Sequence, residues 1–269
     1  MVTHHLPKNA TNRRRKTRKL LEAGASDYAE TGYYYEDRGA RVPTRWVKAI
    51  AGFFLLPVAV VFTETFFGCF SRETIHHSFW RTQEFSYFSL GAVVWLAMFF
   101  AFPRPLRLYV FGHELTHAIW VWLMGGRVSK FKVGADGGHI ITDTHNFWIA
   151  LAPYFYPVYS MILLAVYGAL SLWTDLAPYH PWFFALLGVT WCFHITFTLW
   201  MIPKGQTDLT YHGTFFSLVI IYLMNLAVLA LMLIVASSHT TFLSFGRELF
   251  INAEDLAEWM TQVVRSFAR

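Results

Sequence analysis

The sequence predicts an all-α polytopic membrane protein of about six transmembrane helices, with a small membrane-associated β-hairpin after the third. Three observations predict it. The 269-residue chain is 55% hydrophobic and only 14% charged, too few charges to cover a soluble surface. Apolar runs of about bilayer-spanning length, roughly 20 residues, follow one another along the chain. Trp and Tyr recur at the ends of those runs (Trp46, Trp80, Tyr109, Trp148, Tyr179, Trp182), as an interfacial belt requires.

Residues 1–45 are polar, then basic, then Tyr-rich, and no apolar period is sustained there. They read as a disordered tail, with room for a short helix near Leu20 and Leu21. Arg13-Arg14-Arg15-Lys16 and Arg18-Lys19 concentrate positive charge there, and a cytoplasmic membrane flank explains this better than a nucleic-acid partner. The expected spans cover residues 49–70, 85–103, 106–125, 147–172, 182–202 and 214–236. The first two, within 46–103, read as accessory spans, and 104–236 as a core of four spans. Cys69 and Cys192 both sit in apolar stretches, so neither a disulfide framework nor a cysteine metal site is expected.

Residues 126–146 differ in kind. Val128, Phe131 and Val133 suggest one strand, Asp136-Gly137 a hairpin turn, and His139-Ile140-Ile141-Thr142 the returning strand. Such a hairpin is either an ordinary loop outside the membrane or a shielded element whose edge receives a substrate strand. In residues 237–269, Asn252 reads as a helix N-cap, and Leu256, Trp259, Met260, Val263, Val264 and Phe267 share one face. That is an amphipathic helix lying on the membrane or on the protein itself.

The chemistry is carried by His113-Glu114-Leu115-Thr116-His117. On a helix, His113 and His117 stand at i and i+4, where both imidazoles reach one metal ion. Glu114 beside them can act as general base toward a metal-bound water. Ionisable groups within an apolar segment are costly, so three in five residues imply a purpose. Two His leave zinc under-coordinated, and a third protein ligand is required. Asp208, in Pro203-Lys204-Gly205-Gln206-Thr207-Asp208, is the expected third ligand, because two crossings after the hairpin return the chain to the right side. Asp136, His139, His194 and His212 are the other candidates. Asn146 and His139 are candidate oxyanion or substrate-binding groups.

The run Phe111-Gly112-His113-Glu114-Leu115-Thr116-His117-Ala118, the following Gly125-Gly126-Arg127-Val128, and Asp208 at a Pro-containing helix break resemble the site-2 protease family of intramembrane zinc metalloproteases. The resemblance spans residues 104–215, with Ala152-Pro153 similar to the family's small-residue and Pro motif. It implies a three-helix core, Zn2+ held by His113, His117 and Asp208, and cleavage of membrane-embedded or membrane-proximal protein substrates. The family's Leu-Asp-Gly reads Thr207-Asp208-Leu209 here, and the small residue before the second His is Thr116. The loop at 174–181 is too short for a PDZ-like module.

The expected function is therefore zinc-dependent intramembrane proteolysis in a multi-pass protein of a bacterial inner membrane, with a cytoplasmic N-terminus. The expected partners are a membrane protein substrate and the lipid bilayer, without nucleic acid, and a homo-oligomer or accessory membrane partner is allowed. A non-catalytic scaffold retaining the fold is the alternative. A di-iron oxygenase or desaturase is a further one, although the H-x-x-H-H clusters of those enzymes are absent from the sequence. Charge leaves the orientation open. Six full crossings from a cytoplasmic N-terminus put the site on the outer face, whereas Arg127, Lys130 and Lys132 in the hairpin favour the inner one.

Overall fold

A computed structural model describes residues 32–34, 44–134 and 137–267. The expectations for the rest of the tail, including its basic run and the helix near Leu20, lie outside the described residues, as does Asp136. The chain divides into two units, with described residues 32–34 and 105–149 in one and 44–104 and 150–267 in the other. The segment expected as one core, 104–236, is shared between them.

The smaller unit is a helix on a three-stranded sheet. Strand β1 (Gly32–Tyr34) arises within the tail expected to lack structure. Helices α1 (Thr44–His76) and α2 (Gln83–Ala101) belong to the other unit, and α3 (Leu106–Leu123) carries His113, Glu114 and His117. Strands β2 (Val128–Gly134) and β3 (Gly137–Thr142) follow, and then the short helix α4 (Phe147–Leu151). Helix α3 buries Tyr109, His113, Thr116, His117 and Val121, a three-and-four spacing that gives one inward stripe. It ends where Gly125 takes φ 75° and the Gly126 amide donates to the Val121 carbonyl, a left-handed stop suited to glycine. β2 and β3 pair antiparallel, as Phe131 opposite Ile140 shows, with an irregularity between Val128 and Lys130. β1 pairs parallel to β3, Tyr33 opposite Ile140, so β3 is the central strand. Its alternate residues Gly138, Ile140 and Thr142 are buried, the period of a one-sided strand.

The larger unit contains α1, α2, α5 (Val158–Ser171), α6 (His180–Met201), α7 (Thr207–His212), α8 (Thr214–Ala236) and α9 (Phe242–Phe267). Among the described residues, four helical stretches are long and apolar enough to cross a membrane: Trp46–His76, Gln83–Ala101, Ala177–Lys204 and Thr214–Ala236. The helices are consistent with a membrane protein in length and composition, but six spans are not found among the described residues. The expected third span is helix α3, whose Arg107, His113, Glu114 and His117 dilute its hydropathy below that of a crossing helix. The expected fourth is broken: Phe147–Tyr154 and Val158–Ser171 meet at 83°, and count as at most one crossing, which makes five. Pro153 and Pro157 lie at the break, where each lacks an amide hydrogen for a continuous helix.

Helices α2 and α6 approach until their backbones touch. A Cβ added at Gly91 would lie 1.9 Å from the Ala185 carbonyl oxygen, and one at Gly188 2.0 Å from that of Phe88. Trp95 Nε1 donates to Thr196 Oγ1 across the same pair at 2.9 Å. Phe66 and Cys69 of α1, Leu226, Ala230 and Leu233 of α8, and Phe245 of α9 form a second buried cluster. Helix α9 begins ten residues before the expected cap at Asn252, which is correspondingly inside the helix and donates to Thr65 Oγ1 of α1 at 2.9 Å. The apolar face extends back through Leu249, Phe245 and Phe242. The Ser244 amide donates to Thr241 Oγ1, and that pair marks the start of the helix. Arg72 and Glu248 form an ion pair along the same α1–α9 contact at 2.8 Å.

Candidate metal centre

Helix periodicity puts His113, Glu114 and His117 on the buried side of α3, at 9%, 1% and 0% exposure. His117 Nδ1 lies 2.8 Å from the carbonyl oxygen of Ile149 in α4. A carbonyl only accepts, so Nδ1 carries the proton and the Nε2 lone pair is left pointing away. His113 is also met at Nδ1, here by a hydroxyl that can donate or accept. Its Nδ1 stands 3.2 Å from the Tyr109 hydroxyl, one helical turn earlier, which leaves Nε2 facing His117. The two Nε2 atoms are 3.2 Å apart, with the rings crossing at 83°. Two lone pairs at that separation repel unless a proton or a cation lies between them. Two nitrogens each about 2.0–2.1 Å from a tetrahedral ion stand about 3.3 Å apart, so the pair fits such an ion.

Glu114 is covered by the hairpin. A Cβ built on Gly138 of β3 would lie 2.6 Å from Glu114 Cγ and 2.9 Å from Val110 Cγ1, so the strand passes over the carboxylate only because it carries no side chain there. Thr116, the departure from a small residue before His117, donates its hydroxyl to the Gly112 carbonyl at 2.7 Å and is buried without a packing conflict.

Asp208 lies in the first turn of α7, in the larger unit, and is 2% exposed. The chain reaches it through a 3-10 turn over Ile202–Lys204, closed by Gly205 at φ 77°. The Tyr154 hydroxyl donates to Asp208 Oδ2 at 3.1 Å. Tyr154 is itself fully buried at the break between the two halves of the bent pair, and its carbonyl accepts from Asn225 Nδ2 of α8 at 2.9 Å. Ser217 Oγ donates to the Leu209 carbonyl at 3.0 Å, tying α7 to α8.

His113, His117 and Asp208 each offer one ligand atom, and these atoms lie within 4.8 Å of one another, so the group could hold a metal ion. Among the described residues this is the group of three or more His, Cys, Asp or Glu side chains that meets that condition. The other ligand candidates are placed differently. His212 is buried one turn after Asp208, with its Nδ1 in a hydrogen bond to Lys48 Nζ. His194 lies within α6. His139 is half-buried on β3, and burial, with Lys130 and Lys132 close by, holds its imidazole below the ordinary value of 6.5. Asn146 caps α4: its Oδ1 accepts from the Ile149 amide at 2.9 Å, and its amide group faces Met124 Sδ. At the foot of the hairpin, Asp143 accepts from the Arg127 amide at 2.7 Å, and that bond holds its carboxyl below the usual range.

Sequence reading missed Tyr109, the Ile149 carbonyl, Gly138 and Tyr154. Tyr109 had a signal, since it precedes His113 by four residues. Tyr154 had none, because its partner lies far along the chain. No protein-family model, curated protein or solved structure matches this chain.

Proposed function

We propose that the protein is a zinc-dependent intramembrane endopeptidase of the site-2 type, acting on membrane-embedded or membrane-proximal protein substrates. The observation that carries the reading is the pair of buried Nε2 atoms 3.2 Å apart, with a buried carboxylate beside them and Asp208 completing the group. His113, His117 and Asp208 would hold Zn2+. A bound zinc ion supplies Lewis acidity, lowering the pKa of a coordinated water toward about 7 and polarising a carbonyl.

The chain's own residues supply the rest. Glu114 accepts the water proton and returns it to the leaving amine. The Ile149 carbonyl holds His117 in the tautomer that presents Nε2, and Tyr109 meets His113 at Nδ1 and leaves its Nε2 facing His117. Tyr154 orients Asp208 by occupying Oδ2. His139 on β3 is the polar group proposed to meet substrate, and Asn146, held in the α4 cap, is read as a support for the Ile149 carbonyl.

For the orientation we propose that the Asp208 end of the larger unit faces the cytoplasm. Lys48 at the start of α1 reaches His212, and Arg104 after α2 and Lys204 after α6 share Trp200, so these three cations gather at that end. This is the charge bias of a cytoplasmic face in a bacterial inner membrane. With α1 and α2 both crossing, the chain returns to its starting side before α3, which removes the parity conflict of a six-span count.

The test is Glu114→Gln in the full chain. Zinc content is expected to stay near one per chain, while cleavage of a membrane substrate falls about 10²–10⁴-fold. Cleavage at the parent rate would remove Glu114 as the base, and two irons per chain would replace the protease by an oxygenase.

A further inference from the structure

Two cations and a tryptophan meet where α2 and α6 end. Arg104 Cζ lies 4.7 Å from the ring centroid of Phe99 and 4.9 Å from that of Trp200. Lys204 Nζ stands over the same Trp200 ring. Both cations are exposed, and among the described residues neither has a carboxylate partner. Cation–π attraction explains why each favours the indole, but it leaves two like charges gathered about one ring with no anion to offset them.

Their position narrows what that anion is. Gln83–Ala101 and Ala177–Lys204 are both long and apolar enough to cross a membrane, so their shared end falls at headgroup depth. Tryptophan and long basic side chains favour that depth, with the apolar parts turned inward and the charge turned toward the headgroups. Beside the cations, Phe100, Phe102 and Leu199 are 77%, 65% and 66% exposed, an apolar surface suited to acyl chains. Free phosphate would use the charges and leave that surface without a role.

We propose that Arg104, Lys204 and Trp200 form a seat for the phosphate of an anionic phospholipid. The guanidinium presents paired N–H donors to two phosphate oxygens, and the ammonium adds a point charge from α6. Trp200 keeps the two cations a fixed distance apart. The seat ties the ends of α2 and α6 to the lipid surface, and it does not depend on any metal at His113 and His117.

The experiment is native mass spectrometry of the full chain released from nanodiscs containing equal amounts of phosphatidylglycerol and phosphatidylcholine with the same acyl chains. The parent protein is expected to retain one phosphatidylglycerol in preference to phosphatidylcholine, by about 5-fold per cation and about 30-fold for the pair. R104Q/K204Q should bring the two lipids to parity, and Arg104→Lys should keep most of the preference. Arg104→Gln and Lys204→Gln alone, each expected to lose about 5-fold, keep the test in reach if the double variant misfolds. Equal retention by the parent, or an undiminished preference in the variants, overturns the seat. Displacement of the lipid by millimolar inorganic phosphate overturns the lipid as its ligand.

Discussion

The two halves of the candidate metal group are built on different principles. His113 and His117 belong to one regular helix, where their separation follows from 3.6 residues per turn. The His113 ring is met by Tyr109 one helical turn earlier, and the His117 ring by the Ile149 carbonyl 32 positions later. Asp208 sits on the six-residue helix α7, reached through a 3-10 turn and a left-handed glycine, and its partner Tyr154 lies 54 positions earlier. Local periodicity secures the spacing of the first half, and long-range contacts secure the placement of the second. The first half should tolerate changes elsewhere in the molecule, and the second should be sensitive to them.

Substitutions at the ligands test that difference most severely. His117→Ala should abolish stoichiometric zinc, and Asp208→Asn should weaken it by more than the roughly 10–100-fold that loss of an outer partner costs. Competition with a graded series of chelators measures both. Full zinc retention in Asp208→Asn would separate the two halves and end the three-residue group. Tyr154→Phe comes next, since it removes one hydroxyl and keeps the ring. Zinc affinity should fall about 10–100-fold, with the melting temperature of the metal-free protein little changed. An unchanged affinity would mean that α7 holds Asp208 unaided.

Gly138→Ala tests the first half from outside its helix. The added methyl would stand 2.6 Å from Glu114 Cγ, a degree of overpacking that costs about 1–3 kcal/mol. A lowered melting temperature together with lowered cleavage is expected, and a variant equal to the parent in both would show that β3 gives way freely. The smallest effect is on His139. Its imidazole is held below 6.5, so the folded protein binds its proton less readily than the unfolded chain does. The neutral form's contribution to stability is full above that ordinary value and is lost as pH falls through the depressed one. An NMR titration should give a midpoint below 6.5, and Lys130→Gln or Lys132→Gln should move it upward.

The same contrast decides what the sequence could reveal. The motif helix, the hairpin strands and the long apolar helices were legible, because each follows a short-range period of charge or hydropathy. Asp208 was reached by counting crossings and by its place at a Pro-containing helix break, and a count that treated α3 as a span was unsafe. Hydropathy averages over a window, so residues 147–172 looked like one crossing although Pro153 and Pro157 bend them by 83°. Asn252 matched a cap by composition, but the apolar face behind it continued to Phe242 and carried the helix with it. β1 is three residues long and gave no period to detect. Gly138 and Tyr154 matter through what they touch, and a sequence does not record touching.

The bare backbone contact at Gly91 and Gly188 has a consequence for traffic. On the proposed function, a substrate helix arriving sideways from lipid needs a seam that opens by most of a helix diameter. Between α2 and α6 no side chain can fold aside, because carbonyl already meets Cα, and Trp95 is bonded across the line to Thr196. That seam behaves as a closed wall. Any lateral doorway into the larger unit has to lie along other helices, and a crosslink joining α2 to α6 should leave passage unimpeded.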